Sequence, residues 1–246
     1  MMLKQVAEID FPTRWANFRL LAFESVHKNE KTNRVSVETA LALALGDIGS
    51  FPPLVRIHSQ CITGEVFHSL RCDCHDQLHL ALRTIAQEGA GVLIYERQEG
   101  RGIGLMEKLR AYELQDEGLD TVEANLRLGH VVDARDYVLA VEVLRALKIR
   151  AIRLMSNNPE KFKAVLASGI QIVDRVSADV PISAHSIRYV STKREKLGHL
   201  SDPTLASFAT NISSGGGALL TESCCEAESA GAELRADLGG GRWQMS

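Results

Sequence analysis

Between residues 55 and 176 short apolar runs alternate with amphipathic stretches, and this alternation narrows the fold more than any other feature. Val55–Ser59 reads as a strand. His75–Glu88 reads as a helix, with Leu78, Leu82 and Ile85 at helical spacing, Asp73 or Asp76 as N-cap and Gly89 as its stop. A buried strand over Gly91–Tyr95 follows, then a helix from Leu105 to Glu117 ended by Gly118. Asp133–Ile149 reads as a helix with Val138, Val141, Leu144 and Leu147 on one face. A strand over Ala151–Met155, a helix over Pro159–Ser168 opened by proline and stopped by Gly169, and a strand over Ile170–Val176 complete the series. Upstream, Phe18–Phe23 and Thr39–Leu45 form a hairpin-like pair around the polar turn His27–Arg34. Such a chain predicts an α/β (α+β) fold, with a mixed central sheet and flanking helices.

The last 46 residues differ from the rest: they hold seven glycines and seven serines, and six acids against two bases. A segment of this kind buries too little apolar surface to offset its ordering entropy. The expectation is a folded domain over residues 1–200 and a disordered tail over 201–246, with room for one short helix near Glu222–Leu238. The formal net charge of -3 and 5% aromatic content argue against a nucleic-acid partner. No run is apolar enough to span a bilayer and the start lacks a secretory core, so no membrane partner and a cytoplasmic location are expected.

The five cysteines fall in two tight groups rather than spread as a disulfide framework would be. Cys61-x10-Cys72-x-Cys74 offers three thiolates from a loop and a tight turn. Three protein ligands leave one tetrahedral position of zinc open, the arrangement of a catalytic centre, where bound water becomes a nucleophile near neutral pH. A closed structural site is the alternative, with His58, His68, His75 or His79 as fourth ligand. Cys224 and Cys225, in a flexible acidic context, read as reactive thiols.

Gly100-Arg-Gly-Ile-Gly104 lies between a strand and a helix, where backbone amides and the helix N-terminus suit a phosphate. Arg97 and Arg101 flank it as candidate oxyanion clamps. The turn matches neither the dinucleotide fingerprint nor the P-loop. Asp133 and Asp136 stand where helix N-caps stand, and Lys161 near the start of the Pro159 helix opposes the helix dipole, as a lysine facing an anion would.

Arg56-Ile-His-Ser-Gln-Cys61, Ser69-Leu-Arg-Cys-Asp-Cys74, Arg97-Gln-Glu-Gly-Arg-Gly-Ile-Gly-Leu105, Arg110-Ala-Tyr-Glu-Leu-Gln115, Asp120-Thr-Val-Glu-Ala-Asn125, Asp133-Ala-Arg-Asp-Tyr137, Ser156-Asn-Asn-Pro-Glu-Lys161 and Thr192-Lys-x-Glu-Lys-Leu-Gly-His199 together resemble GTP cyclohydrolase II. The likeness runs from about residue 3 to 200. It implies a homodimeric hydrolase of riboflavin biosynthesis that uses zinc and magnesium. Such an enzyme converts GTP to a diaminopyrimidine ribosyl phosphate, formate and pyrophosphate. By the resemblance, Cys61, Cys72 and Cys74 hold zinc, and Mg²⁺ accompanies the triphosphate. Arg56, Ile57, His58, Ser59, Gln60, Gln77, Glu99, Gly100, Arg101, Thr121, Ser156 and Lys161 contact GTP. Asp133 accepts a proton, Arg135 acts at the α-phosphorus and Tyr112 assists ring opening. A guanidinium stays protonated in proteins, which favours a charge clamp over a nucleophile for Arg135. Three positions depart from the family pattern: Gln60 replaces a glutamate, His75 a glycine and Ser156 a threonine. His75 as a fourth ligand closing the open position is the alternative, disfavoured because a ligand so close after Cys74 is strained.

Overall fold

The computed structural model describes residues 2–28 and 35–200. The tail expected over 201–246, with Cys224 and Cys225, and most of the turn expected at 27–34 lie outside the described residues. The strands are β1 (Met2–Pro12), β2 (Asn17–Lys28), β3 (Val35–Leu45), β4 (Leu54–Ser59), β5 (Gly91–Glu96), β6 (Ala151–Met155) and β7 (Gln171–Val176). The helices are α1 (Ile62–Glu65), α2 (Cys74–Glu88), α3 (Leu105–Asp116), α4 (Thr121–Arg127), α5 (Val138–Ala146), α6 (Pro159–Ala167) and α7 (Ile187–Leu197).

The seven strands form one sheet in the order β1-β2-β3-β5-β4-β6-β7. β1, β2, β3 and β5 pair antiparallel, and β5, β4, β6 and β7 pair parallel, so the sheet is mixed as expected. After β4 the chain crosses to β5 on one side, and later returns to β6 on the other. Helices α2 and α5 pack on opposite faces of the sheet. Ligands of such folds collect where strand order reverses, outside the carboxyl ends of the parallel strands. Here that crevice lies beyond Ser59, Glu96 and Met155. β4 and β6 pair only through Leu54–Arg153 and Val55–Leu154, so the sheet opens toward this end.

Strand β3 divides the core. Ala40, Ala42 and Ala44 are fully buried against the α5 layer, while Leu43 and Leu45 pack on the α2 side and Leu41 is partly exposed. The period of two in the sequence is real, but the alanines carry the tighter face because small side chains let a helix approach closely. α2 stops at Gly89, which adopts the left-handed conformation with φ 74°. α6 starts at Pro159 with the Asn158 side chain accepting from Glu160 N–H at 2.9 Å. Asp73 stands at the N-cap position of α2, yet its side chain caps nothing and turns to other partners.

Two expectations are corrected. The helix expected from Asp133 begins at Val138. Residues 133–137 form a loop held by tertiary hydrogen bonds: Ala134 N–H donates to Arg101 O (3.0 Å), and Gln98 both donates to Asp136 O (2.7 Å) and accepts from its N–H (3.1 Å). These bonds outcompete the first helical turn. Asp133 therefore caps no helix. Strand β1 and helices α1, α4 and α7 were not foreseen. The exposed face of β1 lacks a clean hydrophobic period, and α4 is announced only by its capping box, Asp120 with Glu123.

Gly46, at the end of β3, has φ +60°, and a Cβ there would lie 2.1 Å from the Gly89 carbonyl oxygen. Gly46→Ala is expected to cost at least about 2 kcal/mol, from the left-handed backbone and the overlap together. The midpoint of urea unfolding measures it.

Candidate active site

The three thiols converge. Cys61 precedes α1, Cys72 ends the preceding loop and Cys74 starts α2. Their sulfurs all lie within 4.8 Å of one another, with Cys61 Sγ to Cys72 Sγ at 3.6 Å. Tetrahedral zinc with bonds of about 2.3 Å needs sulfurs about 3.8 Å apart, so the cluster fits that ion. Gly64 closes the cradle from behind. A Cβ there would meet Cys72 Sγ at 2.9 Å and Cys61 Sγ at 3.4 Å. Hydrogen bonds shared with Cys72 and Cys74, with Lys108 nearby, hold the Cys61 thiol well below the ordinary range. The same sharing pushes Cys72 up to about 11 and Cys74 well up.

Buried polar groups surround the thiols. Lys108 Nζ donates to Cys61 Sγ (3.2 Å), Thr63 Oγ1 (2.8 Å) and Glu99 Oε1 (2.7 Å). Burial opposes its charge, but the Cys61 thiolate holds its pKa above the ordinary lysine value. Glu99 Oε2 accepts from Ile62 N–H at 2.7 Å, tying the Glu99–Gly102 turn to α1. Glu65 Oε1 accepts from Cys61 N–H (2.9 Å) and pairs with His58 Nε2 (2.9 Å), while Tyr95 donates to Oε2 (2.5 Å). Tyr112 hydroxyl lies 3.4 Å from Thr63 Oγ1. Burial first of all pushes its phenol up.

Beyond the thiols the crevice turns cationic. Arg56, Arg101 and Lys161 are buried. Arg56 donates to Met155 O (3.1 Å) and Gln77 Oε1 (2.6 Å), and Lys161 Nζ donates to Ile57 O (2.8 Å). Burial lowers Arg56 to about 10. Burial and the neighbouring Arg56 and Arg135 hold Lys161 well below its ordinary value. Arg135 grips Asp133 through Nε to Oδ1 (2.9 Å) and Nη2 to Oδ2 (2.5 Å). Burial works against the Arg135 charge, yet Asp133 overcomes it and holds the guanidinium firmly protonated. Burial also opposes the Asp133 carboxylate, but Arg135 keeps its pKa low. Burial, then Lys193, Arg135 and Lys161, depress His199 to about 3. Several buried atoms here have no hydrogen-bond partner among the described residues: Arg56 Nε, His58 Nδ1, Ser59 Oγ, and Nη1 and Nη2 of Arg101.

The crevice consists of adjoining cavities. One, at the thiols, is lined by Gln60, Glu99, Gly100, Tyr112 and Thr121. A second is lined by Arg56, His58, Gln77, Ser156 and Lys161. Ser59, Cys74, Arg101 and Arg135 line both. Asp133 lines an adjacent cleft that Arg135 also borders. The sequence-predicted residues thus come together, with two qualifications. Ile57 is fully buried in the core and offers only its carbonyl. Gln77 has both ends engaged, by Arg56 and by Asp73.

Other expectations change. Arg97 is exposed and lines a different cavity. The glycine-rich turn does not present a free nest of amides, because Gly100 N–H donates to Glu99 Oε1 (3.0 Å) and Gly104 N–H to Glu99 O (3.0 Å). What it presents is the Arg101 side chain, on a non-glycine residue at φ 61°. His75 does not approach the thiols; its ring packs between His68 (4.3 Å) and His79 (3.9 Å). Among the described residues no fourth His, Cys, Asp or Glu joins the three-sulfur group. Lys108 and Glu65 escaped the sequence reading. Their signal is spacing: Lys108 stands one helical turn before Tyr112, and Glu65 four residues after Cys61.

The GTP cyclohydrolase II family model matches residues 4–177. The chain belongs to the GTP cyclohydrolase II family. GTP cyclohydrolase-2 of Enterobacter sp. (strain 638) is 47% identical over 201 residues, which span 81% of this chain and 98% of that protein. GTP cyclohydrolase-2 of Pectobacterium atrosepticum is 47% identical over 203 residues, 82% of this chain and 99% of that one. The protein of that name from Escherichia coli O9:H4 is 46% identical over 201 residues, 81% of this chain and 98% of that one. Among solved structures, RibBX, a two-domain 3,4-dihydroxy-2-butanone 4-phosphate synthase from A. baumannii, aligns over 71% of this chain and 39% of that one. Its TM-score is 0.39 at 18% identity, a likeness that carries no fold argument. Among the described residues no helix is long and apolar enough to cross a membrane.

Glu96, at the end of β5, is buried and accepts from Ala140 N–H (3.0 Å) and Gln98 Nε2 (3.0 Å). Burial raises it from 4.5 to about 7. A folded-state pKa above the unfolded value contributes stability that is full below pH 4.5 and is lost as pH rises through 7. Glu96→Gln is expected to flatten this fall, which amounts to roughly 3 kcal/mol at most. Urea unfolding of both proteins at acidic and neutral pH measures the difference.

Proposed function

We propose that this chain is a GTP cyclohydrolase II. It hydrolyses GTP to 2,5-diamino-6-(5-phosphoribosylamino)pyrimidin-4(3H)-one, formate and pyrophosphate, the first committed step of riboflavin biosynthesis. The observation that carries this reading is the set of partnerless buried atoms on Arg56, His58, Ser59 and Arg101, in a crevice whose other end is three thiols. Buried polar atoms without partners call for a ligand to supply them.

Cys61, Cys72 and Cys74 are the residues to hold zinc, which when bound supplies an activated water for attack at C8 of the purine. Magnesium enters with the triphosphate, whose charge it offsets. Lys108 offsets the negative charge of the thiolates and keeps Glu99 in place. Tyr112 donates its proton as the imidazole ring opens. His58 gives its Nε2 hydrogen to Glu65. Burial lowers its pKa to about 4, so the ring is neutral and Nδ1 is an acceptor for a substrate N–H or O–H. Gln60, Thr121 and Ser156 add neutral polar contacts, and Gly100 lets the substrate approach the turn backbone.

At the phosphate end Arg56, Arg101 and Lys161 receive the anion. Arg135 clamps charge that develops at the α-phosphorus; a guanidinium held protonated by Asp133 is no nucleophile. Asp133 takes the proton released there, within reach of the same phosphoryl group. Residues 1–200 make up the catalytic domain, which works in the cytoplasm as a homodimer.

A product assay tests this reading. Zinc-loaded protein with magnesium and GTP is expected to release formate and pyrophosphate in equal amounts with the diaminopyrimidine. GTP binding without any product would overturn it in favour of a non-catalytic nucleotide-binding protein. Cys72→Ser is expected to lower formate release roughly a thousand-fold or more, while GTP binding measured by calorimetry persists. Loss of both would show that the thiol end and the phosphate end do not act separately.

A further inference from the structure

The motif Thr192-Lys-x-Glu-Lys-Leu-Gly-His199 has no part in the reading above, and it lies beyond residues 4–177 of the family match. In the structure it is most of α7 and the turn after it. Lys193 Nζ lies 2.6 Å from Asp73 Oδ1, and both side chains are nearly buried, at 12% and 9% exposure. Asp73 Oδ2 accepts from Gln77 Nε2 at 2.8 Å, and Gln77 Oε1 accepts from Arg56 Nη2 at 2.6 Å. Four side chains thus run in one line from α7 to β4. Asp73 stands between two of the three thiols in sequence, but its side chain points to Lys193 and Gln77.

Further contacts join α7 to the crevice. The Tyr189 ring lies 4.4 Å from Lys193 Nζ and 5.7 Å from the Arg101 guanidinium. After the helix, Leu200 N–H donates to Asn157 O at 2.9 Å, beside Ser156. The electrostatic consequence is specific. Asp73 is a buried carboxylate one glutamine away from Arg56. Unpaired, it would draw the Arg56 charge toward itself and compete with an incoming anion. With Lys193 in place the carboxylate is satisfied, and Arg56 keeps its Nε without a protein partner.

We propose that Lys193 is a positioning residue of the substrate site. Through Asp73 and Gln77 it holds Arg56 ready for the phosphate end of the substrate, and α7 is therefore a working wall of that site. This rests on the GTP reading above.

Lys193→Met, Lys193→Arg and Asp73→Asn in the full-length chain test it, with KM and kcat for GTP, thermal unfolding and zinc content as readouts. Lys193→Met is expected to raise KM by about ten-fold or more, the size of effect that coupled buried groups supply. Its kcat and zinc content are expected to change much less. Lys193→Arg, which keeps the charge, restores most of the KM. Asp73→Asn raises KM as well, and adds little to Lys193→Met in the double variant because both break one link. Asp73→Asn carries the test alone where Lys193→Met does not fold. An unchanged KM in a folded Lys193→Met protein, or fully additive effects in the double variant, overturns the proposal. So does a Lys193→Arg protein with the KM defect of Lys193→Met. Wild-type protein that fails to turn over GTP overturns the earlier reading instead, so the two failures are told apart.

Discussion

Taking a guanidinium or an ammonium out of water costs several kcal/mol unless protein groups replace the lost hydration. This chain buries Arg56, Arg101 and Lys161 around one crevice and half-buries Arg135 among them. The sheet provides for two of them. β4 and β6 pair only at Leu54 and Val55, then part. The Ile57 and Met155 carbonyls accept from Lys161 and Arg56. The opening of the sheet is thus both the mouth of the crevice and the source of its neutral acceptors. Arg101 has no such provision. Its Nη1 and Nη2 have no hydrogen-bond partner among the described residues, and its backbone already sits at φ 61°. Backbone strain and unpaired buried charge at one residue mark a place where the fold gives up stability for a ligand.

At the other end the balance reverses. Three thiols, Glu99 and Glu65 gather near Lys108, and each carboxylate is engaged by backbone N–H groups as well as side chains. These carboxylates hold the chain around the thiol cluster. Glu65 fixes the Cys61 backbone, and Glu99 fixes the start of α1 against the glycine-rich turn. The turn is pinned in its own right. Gly102 packs on Ala134 so closely that a Cβ would lie 3.1 Å from its carbonyl group. The loop carrying Asp133 and Arg135 is thereby set against Arg101, although some thirty residues separate them in the chain.

Much of this was legible in the sequence, and the exceptions follow a physical rule. The thiol cluster was visible because its ligands are near in sequence and of a rare type. The mixed sheet and helices α2, α3 and α6 were visible because their apolar periods and stop signals are local. The Asp133 segment was misread because its helical pattern is genuine but loses to hydrogen bonds with the Gln98 side chain and to the Arg101 carbonyl, which only the fold brings near. Lys108 and Glu65 went unread, because their spacing from Tyr112 and Cys61 is their only local mark. The Lys193–Asp73 pair joins residues 120 apart in sequence, beyond the reach of any local signal.

The same distinction explains how the crevice is oriented. Its anionic end is made largely by residues 58–112. Its cationic end draws on β4, the Glu99–Gly102 turn, the loop before α5 and the start of α6, and α7 closes it through Asp73. Arg101, Tyr189 and Cys74 line both cavities and so stand at the seam. A ligand with an uncharged ring at one end and several negative charges at the other has one favourable direction in such a field. Reversal would set its anionic groups against Glu99 and the thiolates. Orientation is therefore fixed by the sum of buried charges rather than by any single contact. Asp73 sits where the two fields meet, a carboxylate inside the cationic half. Lys193 on α7, in the wall of the cationic cavity, neutralises it, so the carboxylate need not draw on Arg56.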